Sequence, residues 1–172
     1  MSKAQAMLEQ FKQEAAGTRK MLERVPFDRA EWAPHEKSMT LGRLAGHIAE
    51  MHQWGASILT SDEFDMAPPD GEPYKSPVLE SSEDLLDEFD RGVSAVEAAL
   101  PGVSDEAWAE HWSLKSGGNE VFGGPRGESF RMLTMNEVIH HRGQLSVYLR
   151  LCDVPVPGMY GPSADDKSEA PS

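Results

Sequence analysis

Four long stretches with apolar residues at every third or fourth position predict an all-α fold, a four-helix bundle with long crossover connections. Two further observations agree. The segments between the second and third stretches and between the third and fourth are rich in Pro, Gly, Asp and Glu and lack periodicity, and the chain shows no internal repeat.

Residues 3 to 24 form the first predicted helix: Met7, Leu8, Phe11, Ala15, Thr18, Met21, Leu22 and Val25 keep the spacing, and Pro26 closes it. Trp32-Ala33-Pro34 is read as a loop covering one end of the bundle. Ser38 is the expected N-cap of a second helix, about 39 to 59, with Leu44, His47, Met51, Trp54 and Ile58 on one stripe. Residues 61 to 77 read as a long loop crossing an end of the fold. Ser81 or Ser82 caps a third helix, about 82 to 100, with Glu83 and Asp84 at its positive N-terminal end. Leu85, Leu86, Phe89, Val93, Val96 and Leu100 supply its buried face, and Pro101-Gly102 stops it. Residues 104 to 128 are the least regular; turns at 116–119 and 123–125 bracket either a short hairpin or a plain loop. The last helix runs from about 129 to 152, and 154–162 is extended. A single domain therefore spans 1–162, with 163–172 expected to be a disordered acidic tail.

At 172 residues the chain can bury roughly 70% of its unfolded surface without disulfides. Its one cysteine, Cys152, suits a reducing compartment and reads as a small core residue rather than a nucleophile. The N-terminus has no signal pattern, and no apolar run reaches 18 residues, so a cytoplasmic protein without a membrane partner is expected. The formal net charge of -13, from 29 acidic and 16 basic residues, repels phosphate backbones and excludes nucleic acid as a partner.

The chemistry concentrates in Thr134–Leu145. Glu137 and His141 lie four apart, so both project from one helix face, and His141 falls in the stripe of Val138 and Leu145. His47 lies on the apolar side of the second helix. If those two helices pack side by side, His47, Glu137 and His141 converge: two imidazoles and a carboxylate, with positions left for water or substrate. That pattern suits a catalytic zinc or a non-haem iron site rather than a closed structural one. His140 completes a Glu-x-x-His unit with Glu137, but no second copy exists, so a dinuclear site is set aside and His140 is left a supporting or subunit-contact role. His35, His52 and His111 read as loop or surface histidines, His52 lying about 140° around the helix from His47. Arg142 and Gln144 flank His141, facing either a substrate or neighbouring structure. Trp54 is the one aromatic residue expected near the site.

Thr40-Leu41-Gly42-Arg43-Leu44-Ala45-Gly46-His47-Ile48-Ala49-Glu50, His140-His141-Arg142-Gly143-Gln144-Leu145 with Tyr148-Leu149-Arg150, and the tail Val154–Pro157 resemble the DinB/YfiT-like superfamily of four-helix-bundle metalloproteins. The resemblance covers nearly the whole chain. It implies a metal triad of three histidines, which maps onto His47, position 137 and His141; Glu137 departs from the commoner histidine. It also implies a homodimer and chemistry on small molecules, with one divalent metal ion (zinc, nickel, iron or manganese) and, in some relatives, a low-molecular-weight thiol such as bacillithiol or mycothiol. Two functions follow as expectations. One is a transferase or hydrolase acting on a small electrophile, with a thiol cosubstrate as an option. The other is a non-enzymatic stress-response protein whose metal or ligand site is structural or vestigial.

Overall fold

The structure is a computed structural model that describes residues 2–166. Helix α1 (Lys3–Leu22) starts at a capping box: Ser2 Oγ accepts from the Gln5 amide while the Gln5 side chain accepts from the Ser2 amide. Helix α2 (Leu41–Thr60) is capped by Thr40, whose Oγ1 accepts from the Arg43 amide, and not by Ser38. The reason is the preceding loop. Leu41 N–H and Gly42 N–H donate to Trp32 and Ala30 carbonyls, which keeps Ser38 and Met39 in the turn. Trp32 meets Tyr148 edge-on with ring centres 5.6 Å apart. Helix α3 (Ser82–Ala99) is capped by Ser81. After the short helix α4 (Asp105–Ala109), the last helical run comprises α5 (Arg126–Phe130), a π-helical turn (Arg131–Asn136) and α6 (Glu137–Leu151).

Helices α2 and α1 each pack against both α3 and α6. The shared core includes Phe11, Leu44, Ile48, Leu85, Phe89 and Leu145, all at most 1% exposed. Helices α2 and α3 come very close at Gly92, where an added Cβ would sit 2.6 Å from His52 Cβ. No helix among the described residues is long and apolar enough to cross a membrane.

The chain is mostly helical but not all-α. The two long connections meet in a three-stranded sheet. Strand β1 (Glu63–Asp65) pairs in parallel with β2 (His111–Ser116), with Phe64 opposite Leu114; β2 pairs antiparallel with β3 (Asn119–Pro125). The β2–β3 turn is Gly117-Gly118 with φ of 63° and 76°, the positive pair that a tight hairpin turn requires and glycine supplies without strain. Asp65 locks β1 to this turn: its carboxylate accepts from the amides of Ala67, Gly117 and Gly118. Desolvation pushes its carboxyl up, but these bonds, together with the nearby Lys115 charge, more than offset this and hold it below the usual range.

Of the expected acidic tail, residues 163–166 are described. There Asp165 accepts from the Arg150 guanidinium and from the Val156 amide at 2.8 Å. Residues 167–172 lie outside the described residues.

Candidate metal centre

His47 and His141 meet where α2 packs on α6. Their rings stand edge to face, with centres 4.8 Å apart and planes 69° apart. Glu137 sits one turn before His141, and its Oε2 lies 3.3 Å from His141 Nε2. The structure therefore brings His47 to His141 and Glu137 to His141. The two imidazoles are largely buried, with side chains 18% and 11% exposed, whereas Glu137 is 47% exposed.

Each imidazole is held from behind by the residue three positions on. His47 Nδ1 lies 2.8 Å from Glu50 Oε1, and His141 Nδ1 lies 2.8 Å from Gln144 Oε1. An oxygen of either kind can only accept from the ring, so both Nδ1 atoms carry the hydrogen and donate it. That tautomer turns the lone pair of each ring to Nε2, the arrangement a metal-ligating histidine needs.

Glu50 is 1% exposed and would be costly as an unpartnered charge. Burial pushes its carboxyl up, but the hydrogen bond from His47 and the contributions of Arg43 and Ser76 more than offset this, and it lies below the usual carboxylate range. Arg43 donates to Oε1 at 3.0 Å and Tyr74 Oη donates to Oε2 at 3.1 Å. Sequence reasoning missed Glu50 as a partner. The signal was present in the spacing, since His-x-x-Glu on α2 matches His-x-x-Gln on α6.

The donor set fits a divalent cation in kind. Two Nε2 lone pairs lie in a partly buried site, and one of them faces a carboxylate oxygen at 3.3 Å. Two acceptors so placed attract a cation between them. As the side chains stand, no group of three or more His, Cys, Asp or Glu residues is arranged to hold a metal ion among the described residues. Glu137 is turned onto His141 and stands half in solvent.

His140 is exposed, its ring 4.9 Å from that of His141. His35 and His111 are exposed. His52 is not a surface residue: it is 1% exposed, with Phe89 at 4.6 Å and Phe11 at 5.8 Å. Helix α2 is covered by α3 on one side and α6 on the other, so it buries two faces, and a residue 140° from the His47 stripe meets α3. Arg142 is structural. Its guanidinium donates to the Glu14 carboxylate at 2.7 Å, Glu14 carbonyl at 3.0 Å, Thr18 Oγ1 at 3.1 Å and Tyr160 Oη at 2.6 Å. Cys152 is 4% exposed in the core. Trp54 faces Phe64 and Tyr74, the tyrosine that reaches Glu50.

The DinB family model matches residues 1–170. The Bacillus subtilis (strain 168) protein YrdA is 27% identical over 159 residues, 92% of this chain and 89% of that one. Two solved structures are similar in fold. One is a DinB-like protein from Bacillus cereus (TM-score 0.67, 24% identity, 89% of this chain and 95% of that chain). The other is the DinB-like protein YjoA from Bacillus subtilis (TM-score 0.62, 21% identity, 87% and 96%).

Proposed function

The chain belongs to the DinB family, and on that footing we propose that it is a metal-dependent enzyme, a transferase or hydrolase acting on a small electrophilic molecule. The four long helices are read as the family's four-helix bundle, with the sheet built from its crossovers. The observation that carries the functional reading is the His47–His141 pair, each ring with its Nδ1–H donated to a side-chain oxygen and its Nε2 left to ligate. His47, His141 and Glu137 would hold one zinc, nickel, iron or manganese ion. Bound there, the ion would supply Lewis acidity that lowers the pKa of a thiol or a water molecule.

The protein's own residues do the rest. Glu50 and Gln144 fix the ring tautomers, and Arg43 and Tyr74 keep Glu50 in place as an acceptor. Glu137, the exposed member, stands at the solvent side, where a small molecule arrives. A homodimer formed through the outer face of α6 belongs to the same reading, supported by Val147 and Leu151, which are 56% and 57% exposed there. So does a cytoplasmic setting away from nucleic acid and membranes, in keeping with the charge of -13.

One observation favours a second reading, a non-enzymatic stress-response protein with a structural or vestigial metal or ligand site. Glu137 stands where the family commonly has histidine, and it is not arranged with the two imidazoles as a ligand. Activity separates the two. Metal-loaded protein should consume a small thiol in the presence of an aryl halide or epoxide, His141→Ala should lose this, and Cys152→Ser should keep it. Tight metal binding without turnover of any thiol, ester or amide substrate would sink the enzyme reading.

A further inference from the structure

Residues 66–80, in the crossover between β1 and α3, carry no helix or strand. They include Pro68, Pro69, Pro73 and Pro77, which have no amide hydrogen to donate. From 69 to 80 every residue is exposed except Tyr74, Ser76 and Leu79. Those three meet one stripe of α2, formed by Arg43, Gly46 and Glu50 at spacings of three and four. Tyr74 Oη donates to Glu50 Oε2 at 3.1 Å, and Arg43 donates to Ser76 Oγ at 3.1 Å. Leu79 covers Gly46, where an added Cβ would sit 3.4 Å from Leu79 Cδ1. The Tyr74 ring meets Trp54 edge-on at 5.4 Å and Phe64 at 5.7 Å. Beside it lies a cavity of about 110 Å³, walled also by Trp54, Phe64, Trp112, Leu114 and Leu133. Glu50 carries this contact to the histidine pair. Its Oε1 accepts from His47 Nδ1 at 2.8 Å and from Arg43 at 3.0 Å, so with the segment seated each oxygen has a protein donor and the residue is 1% exposed.

We propose that Tyr74 is a positioning residue of the metal centre, and that residues 66–80 are a strap whose seating and metal binding favour each other. The proposal rests on the metal reading above and adds a means of regulating that site. Seated, the strap encloses Glu50 and holds its carboxylate onto His47 Nδ1–H. Lifted, it leaves Glu50 Oε2 without its donor and open to water, and the carboxylate is no longer fixed against the ring. The imidazole is then free to carry its hydrogen on either nitrogen, and only one of those tautomers leaves Nε2 to ligate. A metal on Nε2 selects that same tautomer, which favours Glu50 in its place and the strap over it. The linkage is reciprocal: the factor by which the seated strap raises metal affinity is the factor by which the metal favours the seated strap.

The test uses the full chain, zinc, and two readouts that need no substrate. One is zinc affinity, measured by competition with a chromophoric chelator. The other is hydrogen–deuterium exchange at the Tyr74 amide, which donates to the Met66 carbonyl within the strap. Zinc should slow that exchange in the unaltered protein. Tyr74→Phe keeps the ring and removes the hydroxyl; it should weaken zinc binding about tenfold and abolish the slowing. Lys75→Ala, next on the strap but with its side chain 78% exposed, should change neither. The proposal alone is overturned if the unaltered chain binds zinc, loses it in His141→Ala, and yet Tyr74→Phe binds it as tightly. Unchanged Tyr74 exchange on zinc binding, a result that needs no variant, overturns it too, as does an equal loss of affinity in Lys75→Ala. A chain that takes up no zinc, or keeps its zinc in His141→Ala, overturns the metal reading and this proposal with it.

Discussion

His52 shows what the surroundings of one residue decide. It lies five positions from His47 on the same helix, yet one imidazole is a candidate ligand and the other is core. His52 Nδ1 is 3.0 Å from the Ile48 carbonyl, and packing around the ring excludes water. Burial lowers its pKa from 6.5 to about 4, against smaller upward contributions from the Ile48 and Ala49 carbonyls. A base with a depressed folded pKa binds its proton more readily in the unfolded chain. Its contribution to stability is therefore complete above pH 6.5 and lost as pH falls from 6.5 towards 4, by about 3 kcal/mol in all. Between pH 7 and 4, His52→Phe should lose about 3 kcal/mol less stability than the unaltered protein in denaturant unfolding. Parallel losses would show that His52 is not neutral in the fold. The sequence held His47 and His141 in plain view, because each sits in an apolar stripe. It did not hold His52, because a helix buried on two faces has two stripes and the pattern reports the stronger.

Among elements, α2 and the last helix were legible from periodicity, and their boundaries came within a few residues. The sheet was legible only in part. The turn at 116–119 admitted the β2–β3 hairpin as one of two alternatives. Strand β1, however, is short and pairs with a segment about fifty residues away, so no local pattern records that partnership. Nor does any pattern mark the π-helical turn at Arg131–Asn136, which buries Thr134 and Met135 just before Glu137. Arg126 was equally invisible, although it joins these parts. Its guanidinium, 5% exposed, donates to the Ile58 carbonyl at 2.6 Å, the Ala107 carbonyl at 3.2 Å, Asp62 Oδ1 at 2.8 Å and the Ser61 carbonyl. It thereby satisfies carbonyls at the C-terminus of α2 and favours the negative end of that helix. Arg126→Met should cost about 3 kcal/mol, because several buried acceptors lose their donor at once. Hydrogen exchange should rise at the end of α2 and in β1, and a loss below about 0.5 kcal/mol would mean that water replaces the guanidinium without penalty.

For the whole molecule, bundle and crossovers do different things. Helices α2 and α6 bring together two histidines distant in sequence, and the i,i+3 partners Glu50 and Gln144 set both rings in one tautomer. The crossovers wall an aromatic cavity beside them and supply Tyr74, which joins cavity and histidines through Glu50. The histidine pair could be foreseen, since each member lies in an apolar stripe of its helix. Cavity and link could not, since they depend on how two aperiodic segments fold onto each other. The central claim is that this arrangement holds one divalent ion, and elemental analysis tests it most directly. The full chain is purified without chelators or a metal-affinity tag, beside His47→Ala and His141→Ala. The account predicts about one zinc, nickel, iron or manganese per chain in the unaltered protein and less than about a tenth of that in either variant. A metal-free protein that takes up none of these ions when they are added, or variants that keep the full complement, would contradict it.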